Sequence, residues 1–222
     1  MKKMSTTSSA VVAFFLLLGV GVYARVPKGY KGRPFMDEHF TSGPQTIPGT
    51  IQCVLYDLGG EGVAYHDTDA YNRGSGGEQP HDCKPGTPEY VCYFRANEGV
   101  DISYTKVYDL DHPNLATIAK DQMYIGWTEE GEWVNYTVKV KKAGTYRINF
   151  MYANKANTLS FSLNNQAAAE CKLPLDTGSM HNWNKAMCGE ITFPKAGLQL
   201  LTLHYTKGNN LAYFELVPVN KK

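Results

Sequence analysis

The chain of 222 residues carries 22 lysine and arginine residues against 21 aspartate and glutamate residues, which gives a formal net charge of +1. Proteins that bind nucleic acid need a basic face, so this balance argues against nucleic acid as a partner. Aromatic residues make up 12% of the chain, including 15 tyrosines. The length suits one domain with a full hydrophobic core.

Residues 1–24 have the features of a signal peptide. Two lysines give a positive start, an apolar run covers residues 11–22, and Val-Tyr-Ala at 22–24 fits the small-residue cleavage rule. A membrane anchor is the less favoured alternative, because the run has about 12 residues whereas a spanning helix needs about 20. We therefore expect a secreted or periplasmic protein whose mature chain begins near Arg25.

Residues 25–46 and 47–220 differ in pattern. The first segment is rich in glycine, proline and charge without periodicity, which is typical of an N-terminal arm or a linker. From residue 47 onward, short apolar runs alternate with polar loops, and there is little helical period. This spacing predicts an all-β single domain, a β-sandwich, over residues 47–220.

Two runs give the clearest strands of this domain. The segments EWVNYTVKV (132–140) and TYRINFMYA (145–153) place an apolar residue at every second position. The turn KKAG at 141–144 lies between them and predicts a hairpin, and PKAG at 194–197 has the same chemistry. The run 198–205 is apolar at most positions, so we expect a strand that is buried on both faces.

Five cysteines in an oxidising compartment predict disulfides with one thiol left over. Cys83 and Cys92 flank a turn that contains proline and glycine, and Cys171 and Cys188 flank a longer loop between two predicted strands. These positions favour two disulfides, one between Cys83 and Cys92 and one between Cys171 and Cys188. Cys53 lies in an apolar run and is expected to be a buried thiol. A zinc site is disfavoured, because no C-x-x-C spacing and no histidine cluster is present.

The longest irregular stretch, residues 59–98, is long for a loop within a compact domain, and such loops are usually functional or disordered. It contains AYHDTDAYN at 64–72, with Asp67, Asp69 and Asn72. The D-x-D start is similar to a calcium loop, but the glycine and the distal glutamate of an EF-hand are missing. Turn capping through Asx hydrogen bonds is the favoured interpretation.

Acidic residues in the loops raise the question of catalysis. Glycoside hydrolysis needs two carboxylates about 5–9 Å apart, but no spacing in this sequence singles out a pair. No G-x-S-x-G nucleophile motif is present either. We therefore assign no catalytic residue, and the acidic candidates are Glu61, Asp67, Glu98, Asp101, Glu129, Glu130 and Glu132.

Aromatic side chains in polar loops are the more specific feature. A sugar presents an apolar C–H face that stacks on an indole, while amide and carboxylate groups bond its hydroxyls. The alternative is that each ring packs under its own loop, which we expect for Trp133 and Trp183. The candidates between predicted strands are Tyr65, Tyr71, Trp127, Met180, His181, Asn209 and Asn210.

Five segments form a recognisable series. They are GTIQCVLYDLGGEGVAYHDTDAYN, RANEGVDI, YIGWTEEGEWVNYTVKVKKAGTYRINFMYA, TGSMHNWNK and GNNLAYFELVP, in this order from about Ile47 to Pro218. Together they resemble a family 6 carbohydrate-binding module, and GGEGVAYHDTD with IGWTEEGEW is the most specific combination. The resemblance implies a jelly-roll β-sandwich and a non-catalytic domain that holds plant or algal polysaccharides.

The resemblance also implies a sugar cleft made by loops at one end of the sandwich. Carried over by motif, the first aromatic position of the family falls on Trp127 and its asparagine falls on Asn210. The second aromatic position falls on Met180, whose thioether has no flat π-face.

Other loop residues are expected to complete the cleft. His181 or Tyr65 would take the place of the second ring, or one face of the sugar would stay open. Tyr65, His66 and Asp67 would form the other wall. The ligand-binding set is therefore expected to contain Tyr65, His66, Asp67, Trp127, Met180, His181 and Asn210.

A second departure concerns the structural calcium that the family commonly holds between its first and last strands. The acidic pattern of the first strand is replaced by Ile51-Gln52-Cys53-Val54-Leu55-Tyr56, and the acid of the last strand falls on Ala212. A hard cation with so few oxygen ligands would not recover its dehydration energy. We therefore predict that this calcium is absent, that no cofactor is needed, and that Val54 and Ala212 pack together.

The leading hypothesis is a secreted, monomeric, non-catalytic module that binds a polysaccharide or oligosaccharide, with no nucleic-acid partner and no membrane span. A small glycan-active enzyme on the same sandwich is one alternative. A structural or adhesive surface protein, in which the sandwich contacts another protein, is the other. The missing second aromatic is the sequence feature that favours the adhesive alternative.

Overall fold

The computed structural model describes residues 24–75 and 83–219. Apart from Ala24, the predicted signal peptide lies outside the described residues. Within them, no helix is both long enough and apolar enough to cross a membrane. The helices are α1 (Glu89–Cys92) and α2 (Val107–Leu110). The strands are β1 (Gln45–Ile47), β2 (Gly49–Gln52), β3 (Tyr65–His66), β4 (Ile102–Tyr104), β5 (Met123–Ile125), β6 (Trp133–Val140), β7 (Gly144–Asn154), β8 (Thr158–Leu163), β9 (Gln166–Lys172), β10 (Trp183–Phe193), β11 (Gly197–His204) and β12 (Asn209–Pro218).

These strands form two six-stranded sheets. The first sheet has the order β1-β6-β11-β8-β9, with β3 paired to β6, and the second has the order β10-β7-β12-β5-β4, with β2 paired to β12. The pairings are antiparallel except that β1 runs parallel to β6. Apolar side chains from both sheets meet in one large core, so the prediction of an all-β sandwich is confirmed.

The alternating sequence pattern produces this core. The alternate residues Val134 to Val140 of β6 and Tyr146 to Tyr152 of β7 belong to the same buried cluster. On β11, Leu201 and Leu203 join the cluster, and Leu200 is also buried, although Leu198 at the end of the strand is exposed. The prediction that this run is buried on both faces is therefore confirmed for its central residues.

The two predicted hairpins are wrong. The strands β6 and β7 on either side of the 141–144 turn lie in different sheets, and so do β10 and β11 on either side of residues 194–196. β6 pairs with β11 instead, and β7 pairs with β10 and β12. Turn residues specify where the chain reverses, but the sheet that a strand joins depends on which apolar faces meet across the core.

The N-terminal arm packs against the sandwich. Tyr30 donates its hydroxyl to Asp57 Oδ2 at 2.7 Å, and the rings of Phe35 and Phe94 lie 5.3 Å apart. The end of the arm becomes β1, which pairs with β6, so the predicted boundary at residue 47 falls within a strand. The position of the domain boundary stays a prediction.

Both predicted disulfides are present, between Cys83 and Cys92 and between Cys171 and Cys188. Cys53 is the free cysteine and is fully buried in the core. Burial raises the pKa of the Cys53 thiol far above its ordinary value, which keeps it protonated. The cysteine predictions are therefore confirmed.

Thiol titration tests this arrangement. We expect the native protein to react with almost no thiol reagent, because the Cys53 side chain is buried. The chain denatured without reductant should react with one equivalent, and the denatured and reduced chain with five, the number of cysteines in the sequence. Three or more reactive thiols before reduction would contradict the two disulfides.

Candidate functional site

Loops that connect the strands enclose two adjoining cavities, of about 520 Å³ and about 200 Å³. Trp127 and Met180 line both cavities, so we treat the two as the larger and smaller parts of one cleft. The larger cavity is also lined by Asp67, Thr68, Asp69, Arg73, Asp101, Thr128, Glu129, Glu132, Lys207 and Gly208. The smaller cavity is also lined by Ser103, Lys106, Tyr108, Tyr124, His181 and Asn210.

Trp127 lies in the loop between β5 and β6, with 46% of its surface exposed. Its backbone φ of 47° lies in the left-handed region, which costs an L-residue about 1–2 kcal/mol. Strain of this kind persists only where the surrounding structure imposes it, and it is common at functional sites. The indole is therefore held open to the cleft and is not sealed beneath its neighbours.

Hydrogen bonds on both sides of Trp127 hold the backbone in this conformation. Gly126 N donates to the carbonyl of Asp101 at 2.9 Å. On the other side, Thr128 Oγ1 accepts from Gly208 N at 3.1 Å and from Asn209 N at 2.9 Å, and its carbonyl also accepts from Gly208 N. Two loops that are distant in sequence thus fix the residue that carries the indole.

Asn210 lies next to Trp127 in the smaller cavity and is almost fully buried. Its Nδ2 donates to the carbonyl of Met180 at 2.7 Å, which joins β12 to the loop before β10. The backbone of Gly126 approaches closely, because a Cβ there would lie 3.0 Å from Asn210 Oδ1. Glycine at 126 therefore allows the asparagine and the tryptophan to share the cleft.

Met180 and His181 contribute to the cleft from the loop between β9 and β10. The Sδ atom of Met180 lies 3.6 Å from Asn154 Nδ2. His181 Nδ1 is 2.5 Å from Oδ1 of Asp109, a fully buried carboxylate. Because an ionised carboxylate only accepts hydrogen bonds, it orients the His181 ring through the Nδ1 proton.

The loop that contains Asp67 forms an acidic wall of the larger cavity. Asp69 N donates to Asp67 Oδ1 at 3.0 Å, Tyr71 N donates to Asp69 Oδ1 at 2.8 Å, and Gly74 N donates to Asn72 Oδ1 at 3.0 Å. These successive bonds from a backbone N–H to the side chain two residues earlier are Asx turns. The prediction that these side chains cap turns is therefore confirmed.

Two carboxyl groups of the larger cavity have strongly raised pKa values. Burial, and then the neighbouring charges of Glu132 and Asp69, raise the pKa of Asp67 to about 7. Burial and the charges of Asp67 and Asp69 likewise raise the pKa of Asp101 to about 7. Hydrogen bonds from Asp69 N to Asp67 and from Arg73 N to Asp101 oppose these increases. Both carboxyl groups are therefore partly protonated at neutral pH.

The structure does not bring Tyr65 and His66 into the cleft, which corrects their expected place in its wall. Tyr65 belongs to the core and its hydroxyl accepts a hydrogen bond from Gly99 N at 3.1 Å. His66 lies on the opposite face of β3, with Nδ1 2.6 Å from Glu61 Oε1. Neither residue lines the larger or the smaller cavity. The short pairing of β3 with β6 alternates their side chains and turns both away from the cleft.

The other aromatic candidates divide between the surface and the core. Tyr71 is exposed but lines neither cavity of the cleft. Trp183 is completely buried, with its ring 5.2 Å from that of Tyr124, as the packing interpretation predicted. Trp133 is half-buried at the start of β6. Trp127 is therefore the tryptophan that the fold presents to the cleft.

Sequence reasoning missed several residues of the cleft. Asp101 and Glu132 were among many scattered acids, and nothing marked Arg73, Thr128 or Lys207. Asp101 immediately precedes β4, and Thr128 follows the tryptophan directly. Both residues are therefore next in sequence to a strand or to the residue that carries the indole, and this position could have identified them.

The position of the family's structural calcium does not fit a calcium ion. Cys53 N donates to the carbonyl of Ala212 at 3.0 Å, and Val54 and Ala212, which are both buried, have no side-chain oxygen to offer a cation. The side-chain oxygen of Gln52 already accepts a hydrogen bond from Gln122 at 2.9 Å. Among residues 24–75 and 83–219, no group of three or more His, Cys, Asp or Glu residues is placed to hold a metal.

The two-sheet sandwich with an exposed indole in a polar loop cleft defines a ligand-binding module. The family described as "Carbohydrate binding module (family 6)" matches residues 95–220, which is more than half of the chain. The chain belongs to this family, and the resemblance found in the sequence is confirmed. No curated protein matches the chain.

Two solved structures of family 6 modules are similar to this chain. A family 6 module from Clostridium stercorarium in complex with cellobiose has a TM-score of 0.50 and 14% identity, covering 81% of this chain and 100% of its own. A β-1,3-glucan-binding family 6 module from Bacillus halodurans has a TM-score of 0.46 and 12% identity, covering 78% and 98%. The first of these supports the jelly-roll fold.

The raised pKa values predict how stability depends on pH. Asp67 and Asp101 hold protons in the folded protein up to about pH 7, whereas their ordinary pKa is 3.8. The folded state therefore binds more protons between these values, so these two groups lower the stability as the pH rises through this range. The double variant Asp67→Asn/Asp101→Asn lacks these groups. Its free energy of unfolding minus that of the wild type, measured with urea, should therefore be more positive at pH 8 than at pH 5. An equal difference at both pH values would contradict the shifts.

Proposed function

We propose that this family 6 module binds its polysaccharide in the cleft, with a pyranose ring stacked on Trp127. The observation that carries the proposal is the exposed indole, which is fixed in a left-handed backbone conformation between two cavities. A sugar ring has an apolar C–H face that matches an indole and a rim of hydroxyl groups that needs polar partners. Trp127 supplies the first of these surfaces.

The polar partners come from both sides of the indole. Asn210 and His181 lie in the smaller cavity, and Asp67 and Asp101 lie in the larger one. Amide groups both donate and accept hydrogen bonds, and carboxylates accept them, so the set suits hydroxyl groups. One platform with a few hydrogen bonds is consistent with a dissociation constant of about 1 mM to 1 µM.

A β-linked glucan is the first ligand class that we propose. The module from Clostridium stercorarium was solved with cellobiose, and the whole of that module aligns with 81% of this chain. Met180 leaves one face of the cleft without a second ring, so the ligand would be held through one stacked face and its edges. Secretion is part of the proposal, because the two disulfides suit an oxidising compartment.

We propose binding without catalysis. The family that matches residues 95–220 is described as a carbohydrate-binding module. Glycoside hydrolysis needs an acid and a second carboxylate at a set separation, and no spacing in the sequence singles out such a pair. Both points support binding over hydrolysis.

Substitution of Trp127 tests the stacking. We expect Trp127→Ala and Trp127→Gly to weaken glycan binding equally, by about 30-fold, since a central aromatic contact contributes about 2 kcal/mol. The glycine variant should nevertheless be about 1 kcal/mol more stable than the alanine variant, because glycine adopts a positive φ without strain. Titration calorimetry and urea unfolding measure the two effects.

Tyr93→Ala is the matched control for this experiment. Tyr93 is as exposed as Trp127, at 48% against 46%, but it lines neither cavity of the cleft. Its loss should leave the affinity unchanged. Wild-type affinity in the Trp127→Ala variant would show that the sugar binds elsewhere.

Substitution of Met180 tests the open face of the cleft. Met180→Tyr places a flat ring beside Trp127, in the position where the family commonly has its second aromatic. We expect the affinity to rise about fivefold, since an aromatic contact of this kind contributes about 1 kcal/mol. The Asn210 hydrogen bond to the backbone carbonyl is kept in this variant. An unchanged affinity would indicate that Met180 does not face the bound sugar.

A further inference from the structure

The charges around the larger cavity are strongly unbalanced. Seven ionisable side chains line it: the five carboxyl groups of Asp67, Asp69, Asp101, Glu129 and Glu132, and the two cations of Arg73 and Lys207. Both cations already have carboxylate partners. Arg73 Nη2 lies 2.5 Å from Asp69 Oδ2, and Lys207 Nζ lies 2.9 Å from Glu129 Oε1. Among the described residues, the other three carboxyl groups form no ion pair.

The environments of these three carboxyl groups differ. Glu132 Oε1 accepts from Thr68 Oγ1 at 2.8 Å and from Thr68 N at 3.2 Å, and its Oε2 accepts from Glu129 N at 2.8 Å. Its hydrogen-bonding capacity is therefore largely used inside the protein. Glu132 therefore lines the cavity with carboxyl oxygens that are already engaged by the protein.

Asp67 and Asp101 have capacity to spare. Asp67 is 9% exposed and Asp101 is 6% exposed. In each, the Oδ1 atom accepts one backbone N–H, from Asp69 and Arg73 respectively. Within the described parts of the chain, neither Oδ2 atom accepts a hydrogen bond. Both residues line the cavity that also contains the Trp127 indole. A sugar stacked on the indole would therefore present its ring substituents to these two carboxyl groups.

The protein compensates the negative charge of this pair poorly. Burial first, and then the neighbouring carboxylates, raise the pKa of each carboxyl group to about 7. Around Asp67, the charges of Glu61, Asp69 and Glu132 act in this direction. Around Asp101, those of Asp67 and Asp69 do so, and the guanidinium of Arg73 opposes them. An ammonium group can replace the protons, since it brings charge and three hydrogen-bond donors.

We propose that the cleft selects polysaccharides by charge: Asp67 and Asp101 hold the ammonium group of an amino sugar, and the same acidic wall rejects a uronic acid. This inference rests on the proposed function, because it places the sugar on Trp127. The indole face favours a nearby cation as well. A uronate would instead add another carboxylate to a cavity in which, among the described residues, three carboxyl groups form no ion pair.

Four oligosaccharides of equal length test the proposal by titration calorimetry at low salt and pH 7, at which both carboxyl groups are partly ionised. They are β-1,4-linked oligomers of glucosamine, N-acetylglucosamine, glucose and glucuronic acid, which share one backbone and differ in charge. We expect the glucosamine oligomer to bind at least about tenfold more tightly than the glucose oligomer, as one charge-assisted hydrogen bond allows. The glucuronic acid oligomer should bind most weakly.

Two further readouts separate charge recognition from general affinity. Glucosamine binding should release protons from the carboxyl pair, which is detected by comparing buffers of different ionisation enthalpy, whereas glucose binding should not. The preference for glucosamine should also become smaller in 0.5 M salt, because the Debye length at that salt concentration is only about 4 Å. Equal proton exchange for the two oligomers would contradict the proposal.

The variant Asp67→Asn/Asp101→Asn assigns the effect to this pair. It should bring the affinities for the glucosamine and glucose oligomers within about twofold of each other and improve binding of the glucuronic acid oligomer. Glu190→Gln is the control, because this carboxylate lines a separate cavity beside Thr145 and Tyr146. If the wild-type protein binds the glucose oligomer as tightly as the glucosamine oligomer, or more tightly, the charge selection is overturned while the proposed binding to β-linked glucans stands. Failure of all four oligomers to bind would overturn both this inference and the proposed binding to β-linked glucans.

Discussion

The cleft depends on the anchoring of the backbone around Trp127. Gly126 is bonded to the carbonyl of Asp101 just before β4, and Thr128 is bonded to the turn before β12. Between these two anchors the chain adopts a left-handed conformation that a tryptophan does not choose by itself. The sandwich supplies the rigidity, because β5 and β12 are neighbours in one sheet. The fold therefore orders the platform before any ligand arrives, which lowers the entropic cost of binding.

The same arrangement divides the cleft into two electrostatically different parts. Asp67 and Asp101 line the larger part, while Asn210 and His181 line the smaller part. The Trp127 ring lies between them and is common to both. A ligand on the indole thus meets acceptors on one side and amide and imidazole groups on the other. This asymmetry gives a single platform a means to orient a sugar, even though Met180 replaces the second ring.

The sequence predicted where the strands lie better than it predicted which strands pair with each other. Alternation in residues 132–140 and 145–153 located β6 and β7, but the same residues suggested a hairpin that the structure does not contain. A two-residue hairpin joins β8 and β9 through Asn164 and Asn165, which both have positive φ. Local turn chemistry specifies that connection, whereas the sheet chosen by β6 and β7 depends on contacts across the core. The disulfides were predictable, because each pair is close in sequence.

Motif spacing located the loop that carries Trp127 and the asparagine beside it, but it failed for Tyr65 and His66. Those two residues lie in the recognised segment, yet their pairing with β6 turns one ring into the core and the other away from the cleft. One measurement tests the central claim, that the sugar lies on Trp127. Indole N–H resonances of the three tryptophans are followed by NMR during titration with a β-1,4-glucan oligosaccharide. We expect a saturable shift of the Trp127 resonance and little change for buried Trp183. Saturable binding that leaves the Trp127 resonance unmoved would contradict it.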